Sequence, residues 1–215
     1  MKKLITFVSI LVFFISGITW GQQVNPVSRL MDGNNRFISG NLEKKDLSDT
    51  RRKDLLKGQK PFAIVVTCSD SRVAPEIIFD QGLGDIFVIR VAGNVLDPVS
   101  LGSIEYAAEH LKSSIVIILG HTYCGAVTAA IEAKGRPEGN IGAIVKRILP
   151  AVKKAKKEGK TGGDLLNSAI AKNVILQKEY MFKKSPVIRE LARTGELQVV
   201  TAIYNLESGE VNIIK

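Results

Sequence analysis

The sequence has 215 residues, of which 45% are hydrophobic and 24% charged, and its formal net charge is +9. This length supports one substantial domain with a buried core, and no second domain of full size is expected. Both fractions are ordinary for a soluble globular protein, so composition by itself indicates no particular chemistry.

The first 21 residues have the pattern of a cleaved export signal. Lys2 and Lys3 precede an almost wholly apolar run over residues 4–15, and residues 16–21 include small residues that a signal peptidase accepts. The run is shorter than the roughly 20 apolar residues that a membrane-spanning helix needs. We therefore expect cleavage after Gly21, export to the periplasm, and no permanent membrane anchor.

The mature chain is predicted to consist of an N-terminal helical arm, residues 22–60, and one α/β catalytic domain, residues 61–215. Within the arm, residues 28–41 and 46–60 have the pattern of short helices. After residue 60, apolar runs of strand length alternate with segments of helical periodicity, which is typical of an α/β domain.

Three continuous apolar runs predict strands that are covered on both faces: residues 61–67, 85–91 and 113–120. Apolar residues at helical spacing between the second and third runs predict a crossover helix, and hence parallel strands. Residues 196–215 predict a fourth strand followed, after a short turn, by a brief antiparallel strand. The expected fold is therefore a mostly parallel central sheet of four strands plus a short antiparallel edge strand, flanked by helices.

Three further helices are predicted between the third and fourth strands, over residues 126–133, 142–157 and 164–185. Pro150 is expected to kink or divide the second of them. Much of the positive charge lies in residues 146–160, whose lysines can share one helix face. No aromatic residue interleaves them to stack bases, so we interpret this stripe as a solvated face and expect no nucleic-acid partner.

Two unusual clusters fall at predicted strand ends, where open α/β sheets bind their ligands. Cys68 follows the first strand, and His121 and Cys124 follow the third. Two thiolates and one imidazole form a ligand set for Zn²⁺ that leaves a fourth position for water. The alternatives are a Cys68–Cys124 disulfide, which an oxidising compartment favours, and a histidine that only satisfies hydrogen bonds at a strand end.

Asp70 and Arg72 follow Cys68 closely and have two interpretations. As a surface ion pair they would contribute under about 1 kcal/mol. Beside a metal, Asp70 would accept a hydrogen bond from a water in the fourth position, or would itself be the fourth ligand in a closed state, and Arg72 would restrain it. An acid, an arginine and a metal-activated water indicate hydration or hydrolysis.

Three motifs, in this order and spacing, resemble those of the β-class carbonic anhydrases: CSDSR at 68–72, GDIFVIRVAGN at 84–94 and GHTYCGA at 120–126. The resemblance covers essentially the whole mature chain. It implies reversible hydration of carbon dioxide to bicarbonate and a proton. It also implies a homodimer or a higher homo-oligomer with its active sites at subunit interfaces.

The same resemblance implies roles for single residues. One Zn²⁺ per chain would be held by Cys68, His121 and Cys124, with Asp70 and Arg72 as the catalytic pair beside it. In plant-type members a glutamine, a phenylalanine and a tyrosine line the substrate pocket, and the matching positions here are Gln59, Phe87 and Tyr106. The glutamine is expected to come from the partner chain.

The sequence departs from the family at one visible position and leaves other functions open. Val91 replaces an asparagine that many members have in the RNAGN motif, and the tryptophan of the bicarbonate-regulated subtype is missing, because Trp20 lies in the predicted signal. A hydrolase of carbon disulfide or carbonyl sulfide on the same fold is one alternative. A non-catalytic exported zinc-binding protein and a structural disulfide protein are the others.

Overall fold

The computed structural model describes residues 25–133, 135 and 139–215, so the predicted signal lies outside the described residues. The strands, in chain order, are β1 (Ala63–Thr67), β2 (Ile86–Arg90), β3 (Ile115–His121), β4 (Gln198–Tyr204) and β5 (Val211–Ile214). The helices are α1 (Pro26–Ile38), α2 (Asp49–Leu55), α3 (Pro75–Ile78), α4 (Pro98–Glu109), α5 (Gly125–Glu132), α6 (Ile141–Lys157), α7 (Gly162–Lys184) and α8 (Pro186–Arg193), and a 3-10 turn covers Ala92–Asn94. Among these helices, none combines the length and apolarity needed to cross a membrane.

The five strands form one sheet in the order β2-β1-β3-β4-β5. The first four are parallel, and β5 pairs with β4 in the antiparallel direction, which confirms the predicted fold class. Thr67, the last residue of β1, pairs with Leu119 of β3. The carboxyl ends of the first and third predicted strands therefore meet at one edge of the sheet.

The central strands are buried at every position because helices cover both faces of the sheet. All five residues of β1 and all seven of β3 are buried. Alternate side chains enter two different cores: Ile64, Val66, Val116 and Ile118 on one face, and Ala63, Val65, Ile115, Ile117 and Leu119 on the other. The period of two along a strand produces this division, and β-branched residues pack well in it.

The helices differ from prediction at two points. The short helices α3 and α8 were not predicted, and both begin with a proline at the first helical position, where its missing N–H costs nothing. Of the two outcomes predicted for Pro150, a kink or a division of the helix, division does not occur, because α6 runs through it. Pro150 is exposed, so the carbonyl left without a donor can be hydrated, while Ile148 and Val152 hold the other side of the helix in the core.

Helix α1 is attached to the sheet of its own chain. Leu30 is buried in the core, and the side-chain amide of Asn34 donates to the carbonyls of Ile78 and Gly209 at 3.1 and 2.9 Å. The Asn34 side-chain oxygen accepts from the backbone N–H of Val211 at 2.9 Å. One half of the predicted arm is thus docked by specific hydrogen bonds, and the boundary at residue 60 stays a prediction.

Candidate metal centre

The ends of β1 and β3 bring Cys68, His121 and Cys124 together. The hydroxyl of Thr67 donates to the carbonyl of Leu119 at 3.0 Å and fixes one strand end to the other. The candidate ligand atoms of Cys68, His121 and Cys124 all lie within 4.8 Å of one another, and all three residues are buried. The structure thus places the three predicted ligands in one cluster.

The turn between His121 and Cys124 depends on an unusual backbone conformation. Tyr123 has a φ of 56°, in the left-handed region that non-glycine residues seldom adopt. The turn follows the end of β3 directly. It places His121 and Cys124 close to Cys68, in the loop after β1. Strain of this kind persists where surrounding structure holds it, and it is common at functional sites.

His121 presents one ring nitrogen to the cluster. Its Nδ1 lies 2.8 Å from the carbonyl oxygen of Thr122. A carbonyl only accepts, so Nδ1 carries the proton and Nε2 has a free lone pair. Nε2 is buried and has no hydrogen-bond partner among the described residues. An isolated buried acceptor is costly, whereas this arrangement is the usual one for a histidine that ligates a metal. The donor set and this nitrogen therefore fit a Zn²⁺ ion.

Cys68 and Cys124 are not joined by a disulfide in the structure. The hydrogen bond with Cys124 and that from the backbone N–H of Gly93 lower the pKa of Cys68, although burial opposes them. The pKa of Cys124 is raised by its hydrogen bond with Cys68 and by burial. These contacts favour the thiolate at Cys68, which is the form of cysteine that binds metals.

Asp70 and Arg72 form a two-point ion pair at the edge of the cluster. Arg72 donates from Nε to Oδ1 of Asp70 at 2.9 Å and from Nη2 to Oδ2 at 2.8 Å. Oδ2 of Asp70 also lies 3.9 Å from Nε2 of His121. The hydrogen bonds from Arg72 hold the pKa of Asp70 well below its usual range. The carboxylate is therefore ionised, close to the cluster, and held by a guanidinium.

Two residues that the sequence analysis gave no individual role support this loop. Arg90, at the end of β2, donates to the backbone carbonyls of Cys68 and Asp70 at 3.2 and 2.7 Å. The backbone N–H of Gly93 donates to Sγ of Cys68 at 3.2 Å. Both residues lie in the GDIFVIRVAGN motif. The motif indicated that this segment belongs to the site, but not that Arg90 and the peptide of Gly93 hydrogen-bond to the Cys68 loop.

The three predicted pocket residues are not assembled within one chain. Phe87 and Tyr106 are neighbours, with ring centroids 6.4 Å apart, and Tyr106 is 47% exposed. Gln59 is exposed after α2, and among the described residues its side chain has no hydrogen bond to the cluster. The roles of Gln59, Phe87 and Tyr106 stay predictions.

Comparison with known proteins identifies the family. A family model described as carbonic anhydrase matches residues 63–211, which contain the three clustered residues and the Asp70–Arg72 pair. Solved β-carbonic anhydrases share the fold, including one from Coccomyxa in complex with acetazolamide, which is 25% identical, has a TM-score of 0.72, and covers 87% of this chain and 86% of that one. The chain belongs to the β-carbonic anhydrase family.

Curated relatives match over most of their length. Carbonic anhydrase 2 of Mycobacterium tuberculosis is 39% identical over 191 residues, which is 86% of this chain and 91% of the relative. The carbonic anhydrase of Mycolicibacterium smegmatis is 38% identical over 195 residues, 88% of this chain and 93% of the relative. A tetrameric β-carbonic anhydrase of Sordaria macrospora is 25% identical with a TM-score of 0.70 and covers 76% of this chain and 85% of that one.

Proposed function

We propose that this protein catalyses the reversible hydration of carbon dioxide to bicarbonate and a proton, with one Zn²⁺ per chain. The observation that carries this proposal is the buried, unpartnered Nε2 of His121 beside the sulfurs of Cys68 and Cys124, with all three candidate ligand atoms within 4.8 Å. Two thiolates and one imidazole suit zinc and leave a fourth position for water. The relatives named carbonic anhydrase support the same reaction.

Zinc, when bound, lowers the pKa of water from 15.7 to about 7 and so supplies hydroxide near neutral pH. In this proposal, Asp70 and Arg72 position the reacting groups. Oδ2 of Asp70 lies 3.9 Å from Nε2 of His121, where it would accept a hydrogen bond from a water or hydroxide in the fourth ligand position. Arg72 keeps Asp70 ionised and away from the ligand position. Its positive charge also offsets part of the negative charge of the two thiolates, which would otherwise reduce the acidity of the water.

The substrate is small and apolar, and apolar side chains line the proposed pocket. Val91 follows β2 directly and packs against the core that contains Cys68 and Cys124. We assign the approach of carbon dioxide to Val91 and Phe87, with Tyr106 beside Phe87. Gln59 would donate a hydrogen bond to the oxygen that gains negative charge during attack.

A homodimer or higher homo-oligomer completes the site in this proposal. β2 is an edge strand of the sheet, and Tyr106 next to it is half exposed. Gln59 is exposed and outside the cluster of its own chain, which is consistent with its serving the site of a second copy. The tetrameric relative of Sordaria macrospora supports assembly.

Metal content, thiol count and turnover, measured on one preparation of the mature protein, test the proposal. We expect Zn²⁺ near one per chain, two reduced cysteines, and carbon dioxide hydration that is lost in Cys124→Ser. A disulfide in a fully active preparation would overturn the ligand assignment. Bound zinc without hydration would favour the non-catalytic alternative, and faster turnover of carbon disulfide or carbonyl sulfide would favour the hydrolase.

The proposal extends to the location of the enzyme, which we infer to be the periplasm. The support is the sequence of residues 1–21 alone, with two lysines, an apolar run and small residues. Cell fractionation followed by mass determination should find a chain that begins at Gln22. Recovery of the uncleaved chain from the cytoplasm would contradict export without affecting the zinc site.

A further inference from the structure

The peptide of Gly93 is held tightly beneath the Cys68 sulfur. Its N–H donates to Sγ of Cys68 at 3.2 Å, and its φ of 67° lies in the region that favours glycine. A Cβ at this position would lie 2.7 Å from Cδ1 of Ile148 and 3.1 Å from Cβ of Ala126. The N–H that reaches the sulfur is therefore fixed by a turn with little freedom to shift toward α5 or α6.

The other side of the same turn is tied to α7 by two buried amide side chains. Asn173 donates from Nδ2 to the carbonyl of Gly93 at 2.8 Å. Gln177 donates from Nε2 to Oδ1 of Asn173 at 3.0 Å, and its Oε1 accepts from the backbone N–H of Leu96 at 2.9 Å. The four-residue spacing puts Asn173 and Gln177 on one face of the helix. A continuous chain of hydrogen bonds thus joins α7 to the turn and the turn to Cys68.

These two amides are exceptional in their surroundings. Asn173 is 1% exposed and Gln177 is 4% exposed, and the buried neighbours on α7 include Ile170, Val174 and Met181. Burying an amide is costly unless its hydrogen bonds are satisfied, and apolar side chains would fill the same space without that requirement. What the amides add is a defined position for residues 93–96.

We propose that Asn173 and Gln177 are positioning residues of the metal centre. By holding the 93–96 turn, they keep the N–H of Gly93 directed at the Cys68 sulfur and so set how strongly this sulfur donates electrons to the metal. A hydrogen bond to a thiolate withdraws electron density from it, and outer hydrogen bonds of this kind tune bound metals. This inference rests on the proposed zinc site.

Cobalt substitution makes the effect visible. Co²⁺ replaces zinc in thiolate sites and gives a sulfur-to-cobalt charge-transfer band whose energy falls when the sulfur becomes richer in electrons. We expect Asn173→Leu and Gln177→Met to move this band to longer wavelength. Competition with a chelator should show a loss of metal affinity of roughly 10- to 100-fold for Asn173→Leu. The Cys68 sulfur loses the contact that holds it in the binding position, and this outweighs its stronger donation of electrons.

Ser113→Ala is the matched control, because it also removes a buried hydrogen bond to a backbone carbonyl, that of Pro61 at 2.7 Å, but at the opposite edge of the sheet. It should lower stability and leave the band in place. An unchanged band in both folded α7 variants overturns the inference, and if Asn173→Leu fails to fold, Gln177→Met decides. Absence of a thiolate band in the wild-type protein would instead overturn the proposed metal site.

Discussion

Arg72 binds both oxygens of Asp70 with one guanidinium, at 2.9 and 2.8 Å, while Oδ2 of the same carboxylate stands 3.9 Å from Nε2 of His121. Nη2 of Arg72 also reaches the carbonyl of Tyr123 at 3.4 Å. The position of the carboxylate relative to the candidate ligands therefore depends on a fork of donors that lysine cannot reproduce.

Arg72→Lys should lower the turnover number for carbon dioxide hydration by about 10- to 100-fold, the range typical when an outer hydrogen bond of a metal site is lost. A lysine keeps the charge but makes one contact, so Asp70 is free to move toward the metal. Zinc content should stay near that of the wild-type protein. Stopped-flow hydration kinetics, with metal analysis on the same sample, provide the measurement.

The chain contains a matched control for this substitution. Arg193 makes the same two-point contact with Glu190, at 2.9 and 2.6 Å, on the exposed surface of α8. Arg193→Lys should leave turnover unchanged, because an exposed ion pair contributes little and lies away from the cluster. Equal activities of the two lysine variants would show that the fork has no catalytic role.

Gly93→Ala should destabilise the protein more than an ordinary surface change. The new Cβ would lie 2.7 Å from Cδ1 of Ile148, and the φ of 67° is strained for alanine. Overpacking and backbone strain each cost about 1–3 kcal/mol. We expect the midpoint of urea unfolding to fall accordingly, with weaker zinc binding because the N–H of Gly93 moves away from Cys68.

Gly102→Ala is the control for the glycine substitution. Gly102 lies within α4, and a Cβ there would meet no atom within 4 Å. Alanine in a helix interior is favoured over glycine by roughly 0.5–1 kcal/mol, so this variant should be slightly more stable than the wild-type protein. A similar loss of stability in both variants would show that the backbone conformation and close packing of Gly93 impose no special constraint.

Much of the sheet and the ligand cluster could be predicted because the signals are local. An apolar run such as residues 63–67 predicts a buried strand, and the register of parallel strands then brings Thr67 and Leu119, and the residues after them, to one edge. Cysteine and histidine at those ends are rare enough to be noticed. The ion pair of Asp70 and Arg72 lies within one short loop, so it was also visible in the sequence.

The contacts that hold the centre could not be predicted because they join distant parts of the chain. Asn173 is 80 positions from Gly93, and nothing in the sequence of α7 distinguishes its buried amides from the exposed polar residues of the same helix. The effect of Pro150 depends on tertiary contacts in the same way. Whether a proline divides a helix depends on what faces it, and here it faces solvent.

Asp80 should stabilise, in a pH-dependent way, the packing of residues 36–45 of the N-terminal arm against the rest of the chain. Its side chain is 4% exposed and contacts Arg36 at 2.5 Å and Lys45 at 3.2 Å. Burial acts to raise the pKa of Asp80, but the hydrogen bonds from Arg36, Lys45 and the N–H of Glu43 together lower it. Because the pKa is lowered on folding, the stabilisation is present above the unfolded pKa of about 3.9 and is lost as the pH falls through the folded value.

Asp80→Asn should therefore reduce the free energy of unfolding at pH 7 by about 1–3 kcal/mol, since hydrogen bonds to charged groups contribute in this range. The difference from the wild-type protein should narrow as the pH falls below about 4. Urea unfolding at several pH values measures both. Asp54→Asn, which removes an exposed pair with Lys57, should change stability by less than about 0.5 kcal/mol. If the stability difference between Asp80→Asn and the wild-type protein stayed constant down to pH 2, the stabilisation by Asp80 would not be ionic.

Co-expression of two inactive variants can show whether Gln59 serves the site of a second copy. Cys68→Ser removes a metal ligand from its own site, and Gln59→Ala should lower turnover by about 100- to 1,000-fold if the amide stabilises the developing negative charge. In a mixed dimer, the Gln59→Ala chain keeps its three metal ligands, and the Cys68→Ser chain supplies the glutamine to that site. One of the two sites is then complete. Random assortment then restores about one quarter of wild-type activity, because half of the dimers are mixed and each has one complete site.

Co-expression of Cys68→Ser with Asp70→Asn is the control for the mixed dimer. Cys68 and Asp70 lie in one loop, and Asp70 approaches His121 of its own chain. Both defects therefore fall on each chain's own site, the mixed dimer contains no complete site, and activity should stay at the level of the parents. Recovery in the first pair alone assigns Gln59 to the neighbouring site, whereas no recovery in either pair would place its action within its own chain. Full activity of Gln59→Ala by itself would remove Gln59 from catalysis.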